Sequence, residues 1–266
     1  MKRILITGAT DGIGKQTAFD LAEKGFEVIV HGRDKQKTEA IENEIKKTTG
    51  NKKVSNVVAD LSSLKNVRAM SEEIHSRYDS LDVLINNAGV FMKEKVLTPD
   101  GFETTFAVSH LAHFLLTENL LPLIKSSDDG RIINVSSMAH QGADIDFENL
   151  NGEKGYSGYV AYSVSKLANV MHAYYLAEKL RETNVAVNAL HPGVISTKLL
   201  YEGWGMSGAS LKKGAETSVF LASSEDVKGI TGKYFVDCKA TASSPESYNE
   251  ETQKRLWEIS EKLTEV

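Results

Sequence analysis

The chain is poor in several residue types on which specialised proteins depend. It has one cysteine, Cys238, in 266 residues, and a single cysteine cannot form a disulfide within the chain. Its net charge is −5, so it offers no excess of lysine and arginine to a nucleic-acid backbone. These absences exclude an internal disulfide scaffold and argue against a nucleic-acid partner.

Long apolar runs are also missing. No window of the sequence approaches the roughly 18 apolar residues that a membrane-spanning helix needs. The apolar pattern that begins at Arg3 has the length of a strand, which leaves no room for the apolar segment and cleavage site of a signal peptide. We therefore expect a cytoplasmic protein with no membrane partner.

Only four prolines interrupt the chain, and segments of strand and helix length alternate along it. Apolar runs predict strands near residues 3–7, 26–31, 53–59, 81–86, 130–136, 185–190 and 232–237. Periodic segments predict helices near residues 12–24, 34–48, 62–78, 102–124, 160–182, 213–223 and 246–263. Such alternation predicts an α/β fold in which a seven-stranded parallel sheet is doubly wound, with helices on both faces.

Three glycines, Gly8, Gly12 and Gly14, follow the first predicted strand and open the first predicted helix. In this context they permit a tight turn and let the backbone approach a pyrophosphate at the helix N-terminus. A plain strand-to-helix turn would use the same three glycines, and their spacing alone leaves both interpretations open.

The end of the second strand distinguishes NAD from NADP, because an acid there binds the ribose 2′-hydroxyl and repels a 2′-phosphate. Gly32 occupies that place and Arg33 follows it, and a guanidinium binds phosphate bidentately. We therefore predict NADP rather than NAD. Two observations oppose this: Asp11 adds negative charge to the glycine loop, and Arg33 would alternatively be a surface residue paired with an acid.

Tyr162 and Lys166 are four residues apart on a predicted helix and so share one face. An adjacent ammonium favours a phenolate, so we expect the pKa of Tyr162 to move from about 10 toward neutrality. Spacing alone does not distinguish this pair from a fortuitous one, since Tyr174, Tyr175 and Lys179 recur on the same helix at similar spacings.

Five ordered motifs extend over nearly the whole chain. They are Thr7-Gly8-x-x-x-Gly12-x-Gly14, Asn86-Asn87-Ala88-Gly89, Asn134-Val135-Ser136-Ser137, Tyr162-x-x-x-Lys166 and Pro192-Gly193-Val194-Ile195-Ser196-Thr197. Together they closely resemble the short-chain dehydrogenase/reductase family, and the phrases at 136–140, 165–170 and 232–238 resemble retinol dehydrogenases and their soluble microbial relatives.

The resemblance implies a single Rossmann-type domain over residues 1–266. Residues 1–90 would mainly bind the dinucleotide, and residues 91–266 would form the catalytic and substrate-binding half, with a mobile substrate segment at about 194–214. The implied activity is NADP-dependent hydride transfer between nicotinamide and a carbonyl or alcohol. The substrate would be a small molecule.

The resemblance also implies residue roles. Tyr162 would be the general acid/base, Lys166 would lower its pKa and bind ribose, and Ser137 would polarise the substrate oxygen. The implied cofactor contacts are Gly8, Thr10, Asp11, Gly12, Ile13, Gly14, Arg33, Asp60, Leu61, Asn87, Ala88, Gly89, Tyr162, Lys166, Pro192, Gly193, Ile195 and Thr197.

Two segments depart from the family or go beyond its motifs. Ser109 stands where the family usually has an asparagine that holds a water in a proton relay to the lysine, so this relay would be altered or broken. An apolar pocket wall, and hence a hydrophobic substrate, is predicted by the segment that carries Leu199, Leu200, Tyr201, Trp204 and Met206.

The sequence leaves competing interpretations open. One is a non-catalytic NADP-binding sensor or interaction protein, which Ser109 favours and the retained Ser137, Tyr162 and Lys166 oppose. Another, a nucleotide-sugar epimerase or dehydratase, is opposed by the length of the chain and by its glycine pattern. The acids between Ser137 and Tyr162 have no clustered His or Cys, so we predict no metal. The helices near 102–124 and 160–182 have apolar faces that would either pair into a homodimer or pack on the sheet, and the sequence leaves both open.

Overall fold

Eight strands form one sheet in the computed structural model, which describes residues 1–266. The strands are β1 (Arg3–Ile6), β2 (Glu27–Gly32), β3 (Val54–Val58), β4 (Val83–Asn86), β5 (Gly130–Val135), β6 (Val185–His191), β7 (Lys233–Val236) and β8 (Lys239–Thr241). Their order is β3-β2-β1-β4-β5-β6-β7-β8. The seven strands from β1 to β7 pair in parallel, which confirms the predicted fold class.

The predicted count of seven strands is wrong by one, because β8 pairs antiparallel with β7 at the edge of the sheet. All three residues of β8 are exposed, so no apolar run marks the strand. The turn between the two strands consists of Asp237 and Cys238, whose φ angles of 48° and 60° suit a two-residue hairpin.

Nine α-helices and one π-helical turn accompany the sheet. They are α1 (Gly12–Glu23), α2 (Lys35–Thr49), α3 (Leu64–Arg77), α4 (Thr104–Phe106), the π-helical turn (Ala107–Leu111), α5 (Ala112–Lys125), α6 (Gly158–Lys179), α7 (Lys198–Trp204), α8 (Leu211–Ser223) and α9 (Glu250–Thr264). The helix predicted at 102–124 is therefore interrupted by the π-helical turn, and α7 lies in a segment for which no helix was predicted.

Helices cover both faces of the sheet, because successive strand residues point to opposite sides. Leu5 belongs to a core of 29 buried residues with side chains from α3, α5 and α6. Ile4 and Ile6 belong to a core of 22 buried residues with side chains from α1, α2 and α8. This layering leaves the carboxyl ends of the parallel strands at one edge of the sheet, where ligands bind in folds of this kind.

Helix α9 packs on α5 and α6. The Trp257 ring centroid lies 4.8 Å from that of Phe114 and 5.2 Å from that of Tyr175, and Ser260 Oγ is 2.9 Å from Nε2 of His110. The chain's own C-terminal helix thus covers part of the apolar surface that suggested a dimer, and the homodimer stays a prediction. None of the helices has the length and apolarity to span a bilayer.

Candidate active site

The glycine loop has the geometry of a backbone cradle. Gly8 and Gly12 have φ angles of 65° and 55°, in the left-handed region that glycine adopts readily. A Cβ atom at Gly14 would lie 2.3 Å from the carbonyl oxygen of Gly8 and 2.4 Å from Nδ2 of Asn87. Since α1 begins at Gly12, its first N–H groups and dipole face this space, which fits a pyrophosphate.

Asp11 caps α1, with its carboxylate accepting from the Gly12 N–H at 2.8 Å. The other carboxylate oxygen of Asp11 lies 3.6 Å from Nζ of Lys37. The negative charge that the sequence places in the loop is therefore paired with a lysine from α2. This pairing lessens the objection to a phosphate nearby.

Asn87 fastens the loop after β4 to the end of β1. Its side-chain amide donates to the carbonyl of Thr7 at 2.8 Å and, at 3.3 Å, to that of Gly8. The backbone N–H groups of Asn87 and Ala88 donate to Oγ1 of Thr7. The Asn87 side chain therefore stabilises the conformation of the glycine loop.

The end of β2 has no space for an acidic side chain. A Cβ atom at Gly32 would lie 2.4 Å from Cγ2 of Thr10 and 2.4 Å from Oγ1 of Thr38. The adjacent Arg33 is exposed and makes no ion pair, whereas its neighbour Asp34 caps α2 by accepting from the Lys37 N–H. The structure therefore contradicts the alternative in which Arg33 pairs with an acid.

The predicted adenine contacts lie just past β3. Asp60 is exposed, and its carboxylate accepts from the backbone of Ser62 at 3.0 Å. Leu61 is buried in the larger core. Of the two, only Asp60 presents a polar side chain at the surface.

Tyr162 and Lys166 occupy successive turns of α6 and are 7% and 3% exposed. Lys166 Nζ donates to the carbonyl of Val135 at 3.1 Å and lies 5.5 Å from the centroid of the Tyr162 ring. Ser137, which follows β5 and is half-buried, lies close enough to Tyr162 to act to lower the pKa of its phenol. The fold therefore brings the three residues named from the sequence together around the buried Tyr162 and Lys166.

Burial controls the protonation of this cluster. It raises the pKa of Tyr162 to about 12, against the opposing effect of the neighbouring Ser137 hydroxyl. It also lowers the pKa of Lys166 to about 8. The expected fall in the pKa of Tyr162 is thus wrong for this structure, because removing the phenol from water outweighs every favourable contact.

The loop after β6 closes the site from the other side. Gly193 has a φ of 96°, Ile195 is buried, and the Thr197 hydroxyl caps α7 by accepting from the Leu200 N–H at 3.1 Å. A Cβ at Gly12 would lie 3.6 Å from Cγ2 of Thr197. The Pro192–Thr197 motif and the glycine loop are therefore direct neighbours.

An aromatic cluster borders Tyr162. The Trp204 ring centroid lies 5.4 Å from that of Tyr162 and 4.9 Å from that of Phe91. Phe91 is itself 5.9 Å from Tyr162 in an edge-to-face arrangement. The sequence indicated Trp204 but not Phe91, whose only signal is its place two residues after Gly89.

Ser109 is buried in the π-helical turn, and its Oγ accepts from the Val90 N–H at 3.4 Å. A Cβ at Gly89 would lie 3.6 Å from Ser109 Oγ and 3.3 Å from Lys166 Nζ, so position 109 borders the same space as the lysine. Single π-helical turns are frequently found at functional sites. No group of His, Cys, Asp and Glu is arranged to hold a metal ion.

The model of the short chain dehydrogenase family matches residues 2–204. The chain belongs to the short-chain dehydrogenase family. As a short-chain dehydrogenase/reductase it is an oxidoreductase enzyme with a Rossmann-like α/β fold. The family resemblance read from the sequence is therefore confirmed.

Retinol dehydrogenases are among the similar short-chain dehydrogenases. Retinol dehydrogenase 12 of Homo sapiens is 43% identical over 97% of this chain and 85% of that protein. Retinol dehydrogenase 14 of Mus musculus is 40% identical over 100% of this chain and 86% of that protein. The likeness therefore covers the site from the glycine loop to α9.

Solved structures agree. A protein from Mycobacterium paratuberculosis has a TM-score of 0.84 and 32% identity, covering 100% of this chain and 94% of that chain. A short chain dehydrogenase from Escherichia coli CFT073, complexed with NADPH, has a TM-score of 0.74 and 26% identity, covering 90% and 97%.

Proposed function

We propose that this enzyme is NADP-dependent and transfers hydride between nicotinamide and the carbonyl or alcohol carbon of a hydrophobic substrate. The observation that carries the proposal is the cluster of the buried Tyr162 and Lys166 with the half-buried Ser137 near the glycine cradle. When bound, the cofactor would supply a hydride in its reduced form, NADPH, and would accept one in its oxidised form, NADP⁺. We further propose that residues 1–90 mainly hold this cofactor and that residues 91–266 supply catalysis and the substrate pocket.

Tyr162 is the general acid/base in this proposal. With a pKa of about 12, its phenol is protonated at neutral pH and can donate that proton to the substrate oxygen as the carbonyl is reduced. Ser137 donates a hydrogen bond to the same oxygen, on which negative charge grows in the transition state. Lys166 binds ribose and stabilises the phenolate that remains.

NADP rather than NAD is supported by the end of β2. An acid at position 32 has no space, and the exposed Arg33 is available for a 2′-phosphate. Lys37 pairs with Asp11, so the carboxylate in the glycine loop does not oppose a phosphate with an uncompensated negative charge. The NADPH in the similar Escherichia coli structure agrees with this assignment.

A hydrophobic substrate is supported by the aromatic cluster. Phe91 and Trp204 pack against Tyr162, so a substrate whose oxygen reaches the phenol must lie against apolar rings. The cytoplasmic location stays a prediction.

The first prediction tests Tyr162. NADPH oxidation with a panel of aldehydes and ketones should fall by about 10²-fold or more in Tyr162→Phe, because the phenyl ring has no proton to donate. NADPH should still bind, since the ring keeps its volume. The matched control is Tyr159→Phe, on the same helix with its ring 6.5 Å from Trp204, which should keep its activity. Binding of NADPH by the wild type without turnover of any carbonyl would favour the sensor interpretation.

A further inference from the structure

A buried histidine that has no role in the proposed reaction lies between the π-helical turn and the glycine loop. His113 is on α5, one turn beyond Ser109, and is almost wholly inaccessible. Its Nε2 atom is 2.9 Å from Oγ1 of Thr7, and its Nδ1 atom is 3.2 Å from the carbonyl oxygen of Ser109. Each ring nitrogen therefore has one partner.

The hydrogen bonds at Thr7 determine which nitrogen of His113 carries the proton. Thr7 Oγ1 accepts from the N–H groups of Asn87 at 2.9 Å and Ala88 at 3.0 Å, which use both of its lone pairs. Thr7 must therefore donate its own hydroxyl hydrogen. His113 Nε2, at 2.9 Å, is a closer acceptor than the carbonyl oxygen of Ile85 in β4, at 3.3 Å. The neutral His113 ring then carries its proton on Nδ1, which donates a hydrogen bond to the carbonyl oxygen of Ser109.

The surroundings of His113 favour the neutral ring. A cationic ring would turn Nε2 into a donor opposite an oxygen that already accepts two N–H groups. Burial and the nearby charge of Lys166 lower the pKa of His113 to about 3. The other titratable groups that face it, His31 and His110, act in the same direction.

The partners of His113 belong to two walls of one narrow space. Asn87 and Ala88 lead into Gly89, where a Cβ would lie 3.3 Å from Lys166 Nζ and 3.6 Å from Ser109 Oγ. Because His113 joins Ser109 to Thr7, it connects the π-helical wall with the wall formed by the loop after β4.

We propose that His113 is a positioning residue for the cofactor: as a neutral imidazole with its proton on Nδ1, it fixes the π-helical turn against residues 87–89 beside Lys166. The proposal rests on the proposed function, because it takes NADP as the ligand that this space receives. His113 acts through these neighbours and touches no reacting atom.

The tautomer of His113 is measured without turnover. In the full chain labelled with nitrogen-15, the His113 ring should be neutral and protonated on Nδ1, and its resonances should stay unchanged between about pH 8 and about pH 5.5. The His113→Leu spectrum assigns these resonances. A ring protonated on Nε2, or one that titrates in this range, would overturn the proposal.

NADPH binding, followed by NADPH fluorescence, gives the second measurement. His113→Leu should weaken binding roughly tenfold, the effect of one lost buried hydrogen bond. His113→Gln should recover most of this loss, because its side-chain oxygen can accept from Thr7. The matched control is His172→Leu, since His172 is also buried but lies on α6 and packs between Phe114 and Trp257, and its NADPH affinity should change by less than about twofold.

The outcomes separate this proposal from the proposed function. Equal losses of affinity in the two leucine variants, or no loss in His113→Leu, would overturn the positioning role. Tight NADPH binding by a wild type that reduces no carbonyl would contradict the proposed function and leave the comparison of variants fully informative about His113.

Discussion

In the proposed function, Gly32 and Arg33 determine which cofactor binds, Gly32 through the space around it and Arg33 through its charge. Thr10 and Thr38 fill the volume that a side chain at position 32 would need, so the acid that would select NAD is excluded by packing. Arg33 is exposed beside this point. In the proposed function, selection of NADP then depends on the single guanidinium of Arg33.

The second prediction follows from this arrangement. Arg33→Ala should lower kcat/KM for NADPH by roughly 10- to 100-fold, the effect of losing a hydrogen bond between charged groups, while kcat/KM for NADH changes little. Steady-state kinetics with both cofactors measure the ratio. Lys35→Ala is the control, because Lys35 is exposed on the same turn but lies near Glu39. An unchanged ratio in Arg33→Ala would contradict the assignment.

The sequence predicts which residues come together in the candidate site better than it predicts their protonation states. Ser137, Tyr162 and Lys166 were named from ordered motifs, and the fold brings them together. The direction of the Tyr162 pKa was not predictable, because burial by Phe91 and Trp204 depends on the tertiary structure. No motif marks His113 for the same reason: its two partners are 4 and 106 residues away in sequence.

Helix α7 lies within the proposed substrate segment, residues 194–214, and contacts Tyr162 of the proposed catalytic cluster through Trp204. None of its residues is buried, and it is tied down by the Thr197 cap and by the contacts of Trp204 with Phe91 and Tyr162. Few buried contacts make an element easy to displace. The Trp204 ring is therefore placed to contact whatever apolar group approaches Tyr162.

The third prediction concerns this helix. Trp204→Ala should raise KM for large apolar carbonyls by about three- to tenfold, the effect of one lost aromatic contact, with a smaller change for short-chain carbonyls. KM values across a series of alkyl and aryl ketones measure this. Tyr201→Ala is the matched control, because Tyr201 lies on the same helix but is 71% exposed. Polar carbonyls that outperform apolar ones in the wild type would contradict the hydrophobic pocket.

Elements with a buried face were predictable, and those without one were not. The strands from β1 to β7 and the long helices carry apolar periodicity because they cover the two cores. Helix α7 has no buried residue and β8 has only exposed ones, so neither leaves a pattern. The π-helical turn inside the helix near 102–124 was also missed, because periodicity over five residues does not separate π from α geometry.

At the scale of the whole molecule, the parallel sheet sets both the site and the response to acid. Every functional loop leaves a carboxyl end of the sheet, which the βαβ pattern made predictable. The same close packing encloses six histidines whose pKa values burial lowers. They are His31, His110, His113, His140, His172 and His191.

The fourth prediction is a loss of stability between about pH 6.5 and pH 5. In the folded chain these histidines stay neutral, whereas in the unfolded chain each binds a proton below its ordinary pKa near 6.5. The unfolded state therefore binds more protons in this range, so the free energy of unfolding falls as the pH falls. Each neutral histidine contributes up to about 1.4 kcal/mol per pH unit.

Urea unfolding at about pH 7.5, 6 and 5 measures this dependence. The window isolates the histidines, because most carboxylates bind protons only below about pH 4.5, and the raised pKa of the part-buried Glu118 acts in the opposite direction. His110→Phe serves as the control. This variant should be less stable than the wild type at every pH, but its free energy of unfolding should fall less steeply as the pH falls, because one fewer histidine binds a proton on unfolding. A urea midpoint that stays constant from pH 7.5 to pH 5 would mean that these rings are protonated or exposed in the folded enzyme, contrary to their burial.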